Sequence, residues 1–91
     1  MSSVTDNIEQ QRFELDVEGH TLFINYRRHG LVITMTHAEV PPELNGRGIG
    51  SALAKGALDL VRSRKQTVLP QCPFIASYIK RHAEYQALLA L

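Results

Sequence analysis

The sequence predicts a mixed α/β (α+β) protein, in which an antiparallel meander of three strands is followed by a helix, a parallel strand and a C-terminal helix. Three observations carry this prediction. Apolar and polar residues alternate through much of residues 12–40, apolar residues recur at helical spacing over 49–62 and again over 74–88, and a short apolar run lies at 67–69. Residues 1–10 are polar and aperiodic, so we expect a flexible N-terminal tail before a single domain over residues 11–91.

The three predicted strands follow one another through short turns. The first begins near Arg12 and ends at the turn Glu18-Gly19, and the second ends at the turn His29-Gly30, which leads into a third strand over residues 31–40. The alternating apolar positions of the first two strands are Phe13, Leu15, Val17, Leu22, Ile24 and Tyr26. Pro41-Pro42 then removes two N–H donors, so we expect an open sheet edge there.

Two helical patterns flank a short strand. One apolar stripe, which includes Ile49 and Leu53, predicts a helix over about 49–62 that packs on the sheet. Residues 67–69 predict a strand that ends at Pro70, and a strand-helix-strand connection of this length predicts a right-handed parallel crossover. The second stripe predicts the C-terminal helix and consists of Phe74, Ile75, Tyr78, Ile79, His82, Tyr85 and Leu88.

The segment Asn45-Gly46-Arg47-Gly48-Ile49-Gly50 has the chemistry of a phosphate cradle. Its glycines let the backbone turn tightly and approach a ligand, and the helix that follows adds its positive dipole end. Arg47 adds a cation for the same phosphates. Nucleotide P-loops and the dinucleotide fingerprint are excluded, because no Gly-Lys-Ser/Thr sequence is present and the glycines have the wrong period. A tight strand-to-helix turn that merely uses glycine remains an alternative.

Composition excludes several functional classes. Ten Lys and Arg against nine Asp and Glu leave a formal net charge of +1, which favours neither nucleic acid nor an anionic membrane as a partner. No apolar run approaches the roughly 20 residues of a membrane span, and the start of the chain lacks the plan of a secretion signal. Cys72 has no second cysteine to pair with, so a reducing, cytoplasmic setting is expected. Four histidines without a carboxylate or cysteine pattern predict no metal site.

Four segments carry a resemblance to a known family. They are HAEVPPEL at 37–44, GRGIG at 46–50, LPQCPF at 69–74 and YIKRH at 78–82. In this order and spacing they resemble the small YjdJ-type branch of the GNAT N-acetyltransferase superfamily. The resemblance covers about residues 12–89.

The resemblance implies a minimal GNAT fold with acetyl-CoA as the cofactor. In such proteins the two strands that border the cleft, here residues 34–40 and 67–69, splay apart, and the pantetheine arm lies between them like an added strand. Asn45 stands where the family has Gln or Arg, so Arg47 offers the charged contact instead. A backbone donor for the thioester oxygen is implied near Val40. The implied cofactor-binding residues are Val40, Asn45, Gly46, Arg47, Gly48, Ile49, Gly50 and Cys72.

Acetyl transfer also needs side chains that move protons. The attacking amine must be neutral, and the departing thiolate benefits from a proton. Strand alternation puts His37 and Glu39 on one face beside the implied donor, where either could accept a proton; the alternative is that both are solvated surface residues. Tyr78 is a candidate acid by analogy with GNAT tyrosines, and the alternative is a core residue beside His82.

Cys72 has two interpretations. It precedes Pro73, a residue favoured at the first helical position, so Cys72 is expected at the N-cap of the last helix, a position that favours the thiolate. The resemblance implies that this cysteine lies near the acetyl group, which allows an acetyl-cysteine route beside direct transfer. The alternative is a small buried residue that packs against the cofactor.

The predicted function is therefore an N-acetyltransferase that moves acetyl from acetyl-CoA to an unidentified small-molecule or protein amine. The alternative is a non-catalytic acetyl-CoA sensor or a partner-regulated module, because so short a chain lacks the N-terminal helices with which larger GNAT enzymes build the amine-binding wall. A homodimer could supply that wall, so the expected state is a monomer or a homodimer.

Overall fold

The structure is a computed structural model that describes residues 4–44 and 46–90. It contains a five-stranded sheet in the order β1-β2-β3-β4-β5, with both α-helices packed on one face. The strands are β1 (Thr5–Asn7), β2 (Arg12–Val17), β3 (His20–His29), β4 (Val32–Glu39) and β5 (Thr67–Pro70), and the helices are α1 (Ile49–Ser63) and α2 (Pro73–Arg81). Short 3-10 helices lie at Pro42–Leu44 and Ala83–Leu88.

The predicted meander is present. β2 pairs antiparallel with β3, and β3 pairs antiparallel with β4. Glu18 and Gly19, at φ of 50° and 81°, form the tight turn of the first hairpin, because two residues with positive φ match the twist of the flanking strands. The fold class is therefore the mixed α/β arrangement that the sequence predicts.

A β-bulge interrupts the pairing of β3 with β4. Tyr26 faces Met35 and Asn25 faces His37, so Thr36 is an extra residue on β4. Before the bulge, Met35 points toward the helices and is fully buried. After it, Ala38 lies opposite the buried Ile24, so His37 and Glu39 lie on the sheet face away from the helices. The bulge thus reverses the alternation along β4.

β5 adds to β4 in parallel, as predicted. The pairing runs from Val32 with Thr67 to Met35 with Pro70 and ends there. The chain then turns, and the Cys72 N–H donates to the Met35 carbonyl at 3.0 Å. Beyond Met35 that edge of β4 has no strand partner within residues 4–44 and 46–90, which agrees with the predicted open edge.

Two expectations need correction. Residues 1–3 lie outside the described part of the chain, but Thr5–Asn7 form a strand that pairs with β2, so the predicted N-terminal tail is wrong from residue 5. The second helical stripe is divided, because α2 ends at Arg81 and His82, with φ of −127° and ψ of 89°, separates it from the 3-10 helix.

One core lies between the sheet and the helices. α1 buries an apolar stripe against β2 and β3, and α2 with the 3-10 helix covers the β4–β5 side. The largest fully buried side chains are Phe13, Leu22, Ile24, Met35, Leu53, Leu58, Ile75, Ile79, Val61 and Val68. This packing fixes the start of α1 against the open edge of β4.

Candidate functional site

A pocket of about 500 Å³ lies where β4 ends and α1 begins. Its volume falls in the range of small-molecule sites. The lining comes from the end of β4, the glycine loop, the first turn of α1 and the first turn of α2: Ala38, Val40, Leu44, Gly46, Gly48, Gly50, Ser51 and Phe74. The lining therefore combines an apolar strand end with exposed loop backbone.

The glycine loop gives the pocket its donors. Gly46 and Gly48 have φ of 79° and 73°, in the left-handed region, and Gly48 is the N-cap of α1. No described side chain caps this helix, and its first intrahelical bond runs from the Ala52 N–H to the Gly48 carbonyl at 3.1 Å. The N–H groups of residues 49–51 are therefore free of intrahelical partners and carry the positive end of the helix dipole. This end of α1 suits an anion.

Gly50 matters for the space that it leaves rather than for its φ. A Cβ on Gly50 would lie 3.3 Å from the Phe74 ring and 3.6 Å from the Val40 side chain. Glycine at this position thus keeps the pocket open between the strand end and α2.

Sequence reasoning missed four lining residues. Leu44 and Ser51 directly flank the predicted segment 45–50, so their position in the sequence could have indicated that they border the same pocket. Ala38 faces the pocket because of the bulge at Thr36, which the alternation pattern does not reveal. Phe74 belongs to the second helical stripe, and that stripe predicts a helix without showing which of its residues border a pocket.

Three residues of the predicted loop do not face the pocket or cannot be placed. Arg47 binds Glu18 with both terminal nitrogens, and this hydrogen-bonded pair lowers the pKa of Glu18 below its usual value. The Ile49 side chain lines a separate groove with Leu15 and Val17, so its backbone N–H is what this residue offers the pocket. Asn45 lies outside the described residues.

Cys72 lies beside the open edge of β4. It is the N-cap of α2 with Pro73 at the first helical position, as predicted, and it is 4% exposed. Its backbone N–H bonds the Met35 carbonyl, at the point where β4 and β5 cease to pair. Cys72 is not among the residues that line the 500 Å³ pocket.

His37 and Glu39 share a face, as the strand alternation predicts. The His37 Nε2 lies 3.1 Å from the Glu39 Oε2, and the two side chains are 58% and 56% exposed. They lie on the sheet face opposite Ala38 and Val40. The His37 and Glu39 side chains and the pocket therefore lie on opposite faces of the sheet, at the same end of β4.

Tyr78 lies away from the pocket. Its ring stacks on His82 with centroids 3.9 Å apart, and it is 5.9 Å from the Tyr85 ring. The His82 Nδ1 lies 2.8 Å from the Tyr78 carbonyl oxygen, which accepts the hydrogen bond. Burial raises the pKa of the Tyr78 hydroxyl above its usual value, so this group is neutral at physiological pH.

The structure was also searched for metal-binding clusters and for membrane-spanning helices. Within residues 4–44 and 46–90, no three His, Cys, Asp or Glu side chains lie close enough together to bind a metal ion. None of the helices in this described part combines the length and apolar character of a membrane span.

Comparison with known proteins adds a family. The model of a family described as GCN5-related N-acetyl-transferase matches residues 12–88. Among curated proteins, Protein NATD1 of Gallus gallus, of Mus musculus and of Homo sapiens are each 37% identical to this chain over 51 residues. The match covers 56% of this chain and 46%, 46% and 45% of those relatives, so it spans just under half of their length.

Proposed function

Because the chain belongs to the GCN5-related N-acetyltransferase family, we propose that it binds acetyl-CoA at the start of α1 and transfers the acetyl group to an amine. One observation carries the proposal: a helix N-terminus that no described side chain caps and a strand edge without a partner among the described strands border the same pocket. The first suits a diphosphate, and the second suits an extended chain with amide groups.

The described residues fit such a molecule. The N–H groups of residues 49–51 would hold the diphosphate, with the turn at Gly46 and Gly48 bringing the backbone close to it. The open edge of β4 beyond Met35 would hold the amide-containing arm, and Val40 and Phe74 would cover it. Acetyl-CoA would supply the activated acetyl group as a thioester.

The protein's contribution to transfer is the handling of charge and protons. A backbone N–H group near the end of β4, at Glu39 or Val40, would donate to the carbonyl oxygen as it gains negative charge. The His37 and Glu39 pair would accept the proton of the amine from the other side of the strand. Tyr78 is not among the residues that line the pocket, so water would bring the proton to the departing thiolate.

Cys72 separates two routes. If the acetyl group passes through its thiol, the protein incubated with acetyl-CoA gains one acetyl mass that Cys72→Ala abolishes, and the attached group then passes to the amine. If transfer is direct, intact-mass measurement finds no adduct in either protein, and Cys72→Ala retains turnover. Because Cys72 is 4% exposed and bound through its backbone at the β4–β5 junction, we expect direct transfer, with Cys72 as a packing residue.

A second candidate function is an acetyl-CoA sensor without turnover. It is favoured by the exposure of His37 and Glu39, since no described element covers this sheet face to form a wall for the amine. The acceptor and the oligomeric state belong to the same question, because a second copy or a partner would have to supply that wall.

Thermal unfolding tests the cofactor first. At about 100 times Kd a ligand adds roughly 2.7 kcal/mol, which raises Tm by on the order of 10 °C for a domain of this size. We expect acetyl-CoA and CoA to raise Tm and ATP not to do so. No rise with either CoA species would contradict the proposal. A rise without thiol release above hydrolysis for polyamines, aminosugars and peptide amines would instead support the sensor.

A further inference from the structure

A second cavity, of about 370 Å³, lies at the other end of α1. It is enclosed by the segment after β1, the β3–β4 hairpin and the chain that leaves α1, and we call it the hairpin cavity: Asp6, Ile8, Gln11, Tyr26, Arg28, Leu31, Ile33, Arg64 and Gln66. The 15 residues of α1 span about 22 Å between the two ends. The proposed acetyl-CoA site therefore makes no use of this cavity.

Gln66 in this cavity has an unsatisfied polar group. The residue is 6% exposed, and its Oε1 is buried without a hydrogen-bond partner in the described chain. Its backbone N–H is already engaged with the Val61 carbonyl at 3.0 Å. Buried polar side-chain atoms are nearly always paired, and Gln66 lines the cavity, so a turn of its side chain into the cavity would let a donor from outside the chain complete this oxygen.

The charges of the hairpin cavity favour an anion. Both oxygens of Asp6 are occupied, because the Tyr26 hydroxyl donates to Oδ1 at 2.6 Å and the Arg64 guanidinium donates to Oδ2 at 2.5 Å. The Asp6 side chain is 6% exposed, so its charge is neutralised by Arg64 inside the protein. Arg28 uses its Nε on the Gly30 carbonyl at 3.1 Å, which leaves its terminal nitrogens for a ligand. The surplus charge of the cavity is positive.

The rim of the cavity is apolar. Ile8 and Leu31 are 69% and 60% exposed, and with Leu69 they are the large apolar residues that the described chain leaves most open to solvent. A polar floor beneath such a rim suits an organic molecule better than an inorganic ion, because the Ile8 and Leu31 side chains can pack against the carbon atoms of a ligand.

We propose that the hairpin cavity binds a small organic carboxylate that also carries an N–H or O–H donor, with the carboxylate at Arg28 and the donor at the Gln66 amide oxygen. Such a ligand completes the unpaired acceptor, neutralises the free guanidinium and covers the exposed apolar rim. It would leave the start of α1 free for acetyl-CoA.

Three probes that share a four-carbon skeleton test the proposal on the full chain. Succinamate carries both groups, butyrate carries only the carboxylate and butyramide carries only the donor. In ¹⁵N–¹H spectra we expect succinamate, at a Kd on the order of a few millimolar, to shift the backbone signals of residues 28–31 and 64–66 and the Gln66 side-chain signal in a saturable way. Butyrate and butyramide should bind at least about tenfold more weakly.

Two variants separate the contacts. Gln66→Met removes the amide and Arg28→Gln removes the exposed guanidinium, and each should weaken succinamate binding about tenfold. Gln86→Met, at an exposed position of the C-terminal 3-10 helix, is the matched control and should leave binding unchanged. The proposal is wrong if succinamate at about 50 mM shifts none of these signals, if butyrate or butyramide binds equally well, or if Arg28→Gln, whose surface position spares the fold, binds like the wild type.

Discussion

Gly48 shows how one backbone angle determines a binding surface. Its φ is 73° and a Cβ there would meet nothing within 4 Å, so glycine is required by conformation and not by space. We expect Gly48→Ala to lose about 1 kcal/mol of unfolding free energy, because the left-handed region is strained for L residues. The loop would relax and turn its N–H groups away, so we also expect acetyl-CoA binding, measured by calorimetry, to weaken at least about tenfold.

Gly30→Ala is the matched control for this effect. Gly30 has φ of 61° and equally open surroundings, but it lies in the β3–β4 hairpin, away from the glycine loop. The same loss of stability with unchanged acetyl-CoA binding is expected. Equal weakening by both variants would mean that the glycine loop does not hold the ligand.

Arg47 is hydrogen-bonded to Glu18, and this pairing weakens the attraction of Arg47 for a bound anion. Both side chains are about half exposed, and the hydrogen-bonded ion pair raises the pKa of Arg47 and lowers that of Glu18. We expect Glu18→Gln to leave Tm nearly unchanged, since exposed ion pairs contribute little, and to tighten CoA binding about threefold at low salt. Arg47→Gln in the Glu18→Gln background should remove the gain. Tightening that persists without Arg47 would assign the effect to the lost negative charge of Glu18 alone.

At the scale of elements, His82 closes α2 and joins it to the 3-10 helix. It stacks on Tyr78 and donates from Nδ1 to the Tyr78 carbonyl at 2.8 Å. We expect His82→Ala to lower the free energy of unfolding by about 1–2 kcal/mol in urea titrations, and His82→Phe, which keeps the ring, to lose about half as much. His29→Ala, at the exposed end of β3, should change little. An effect of His82→Phe as large as that of His82→Ala would assign the loss to the hydrogen bond alone.

The order of elements could be predicted from the sequence because alternation, helical stripes and turn residues are local signals. The bulge at Thr36 could not, since an extra residue on one strand becomes visible only against its partner. The strand Thr5–Asn7 was also hidden, because its three residues are polar and their pairing partners lie on β2. The break at His82 interrupts a stripe whose spacing continues smoothly on both sides.

The candidate site also has a part that could be predicted from the sequence and a part that could not. The glycine loop could be predicted because its chemistry is contained in six consecutive residues. The contact of Arg47 with Glu18 joins residues 29 positions apart, and the contribution of Phe74 depends on how α2 packs against the end of β4. Neither has a sequence signal of its own.

At the scale of the whole molecule, Tyr26, Asp6 and Arg64 tie three segments together. Tyr26 on β3 and Arg64 after α1 both donate to Asp6 on β1. Burial, with the hydrogen bond to Asp6 as the second cause, raises the pKa of Tyr26 to about 12. The tie therefore depends on a hydroxyl that keeps its proton in the folded protein.

The raised pKa of Tyr26 predicts a loss of stability in alkali. Below pH 10 the hydroxyl is protonated in both states and its contribution is fully present. Between pH 10 and about 12 the unfolded chain releases the proton first, so up to about 3 kcal/mol of stability is lost. Urea unfolding from pH 8 to pH 12 measures this loss.

Tyr26→Phe is the variant that isolates the effect. It should be less stable than the wild type by about 1 kcal/mol at pH 8, because the hydrogen bond to Asp6 is lost. Its curve should fall less steeply above pH 10, so that the difference between the two proteins shrinks and then reverses as the pH approaches 12. Tyr78 and Tyr85 titrate in both proteins and cancel in the comparison. Parallel curves would show that Tyr26 does not titrate differently in the folded state.

The parallel pairing of β5 with β4 has a consequence for the order of folding. The β2–β3 hairpin joins Val17 to His20 across a tight turn, whereas Val32 meets Thr67 only after α1 has crossed between them. Closing the longer loop costs more chain entropy, so we expect the hairpins to form early and the docking of β5 to come late. On this order the cleft beside Met35 is completed near the end of folding, and we expect a ligand held there to slow unfolding without accelerating folding.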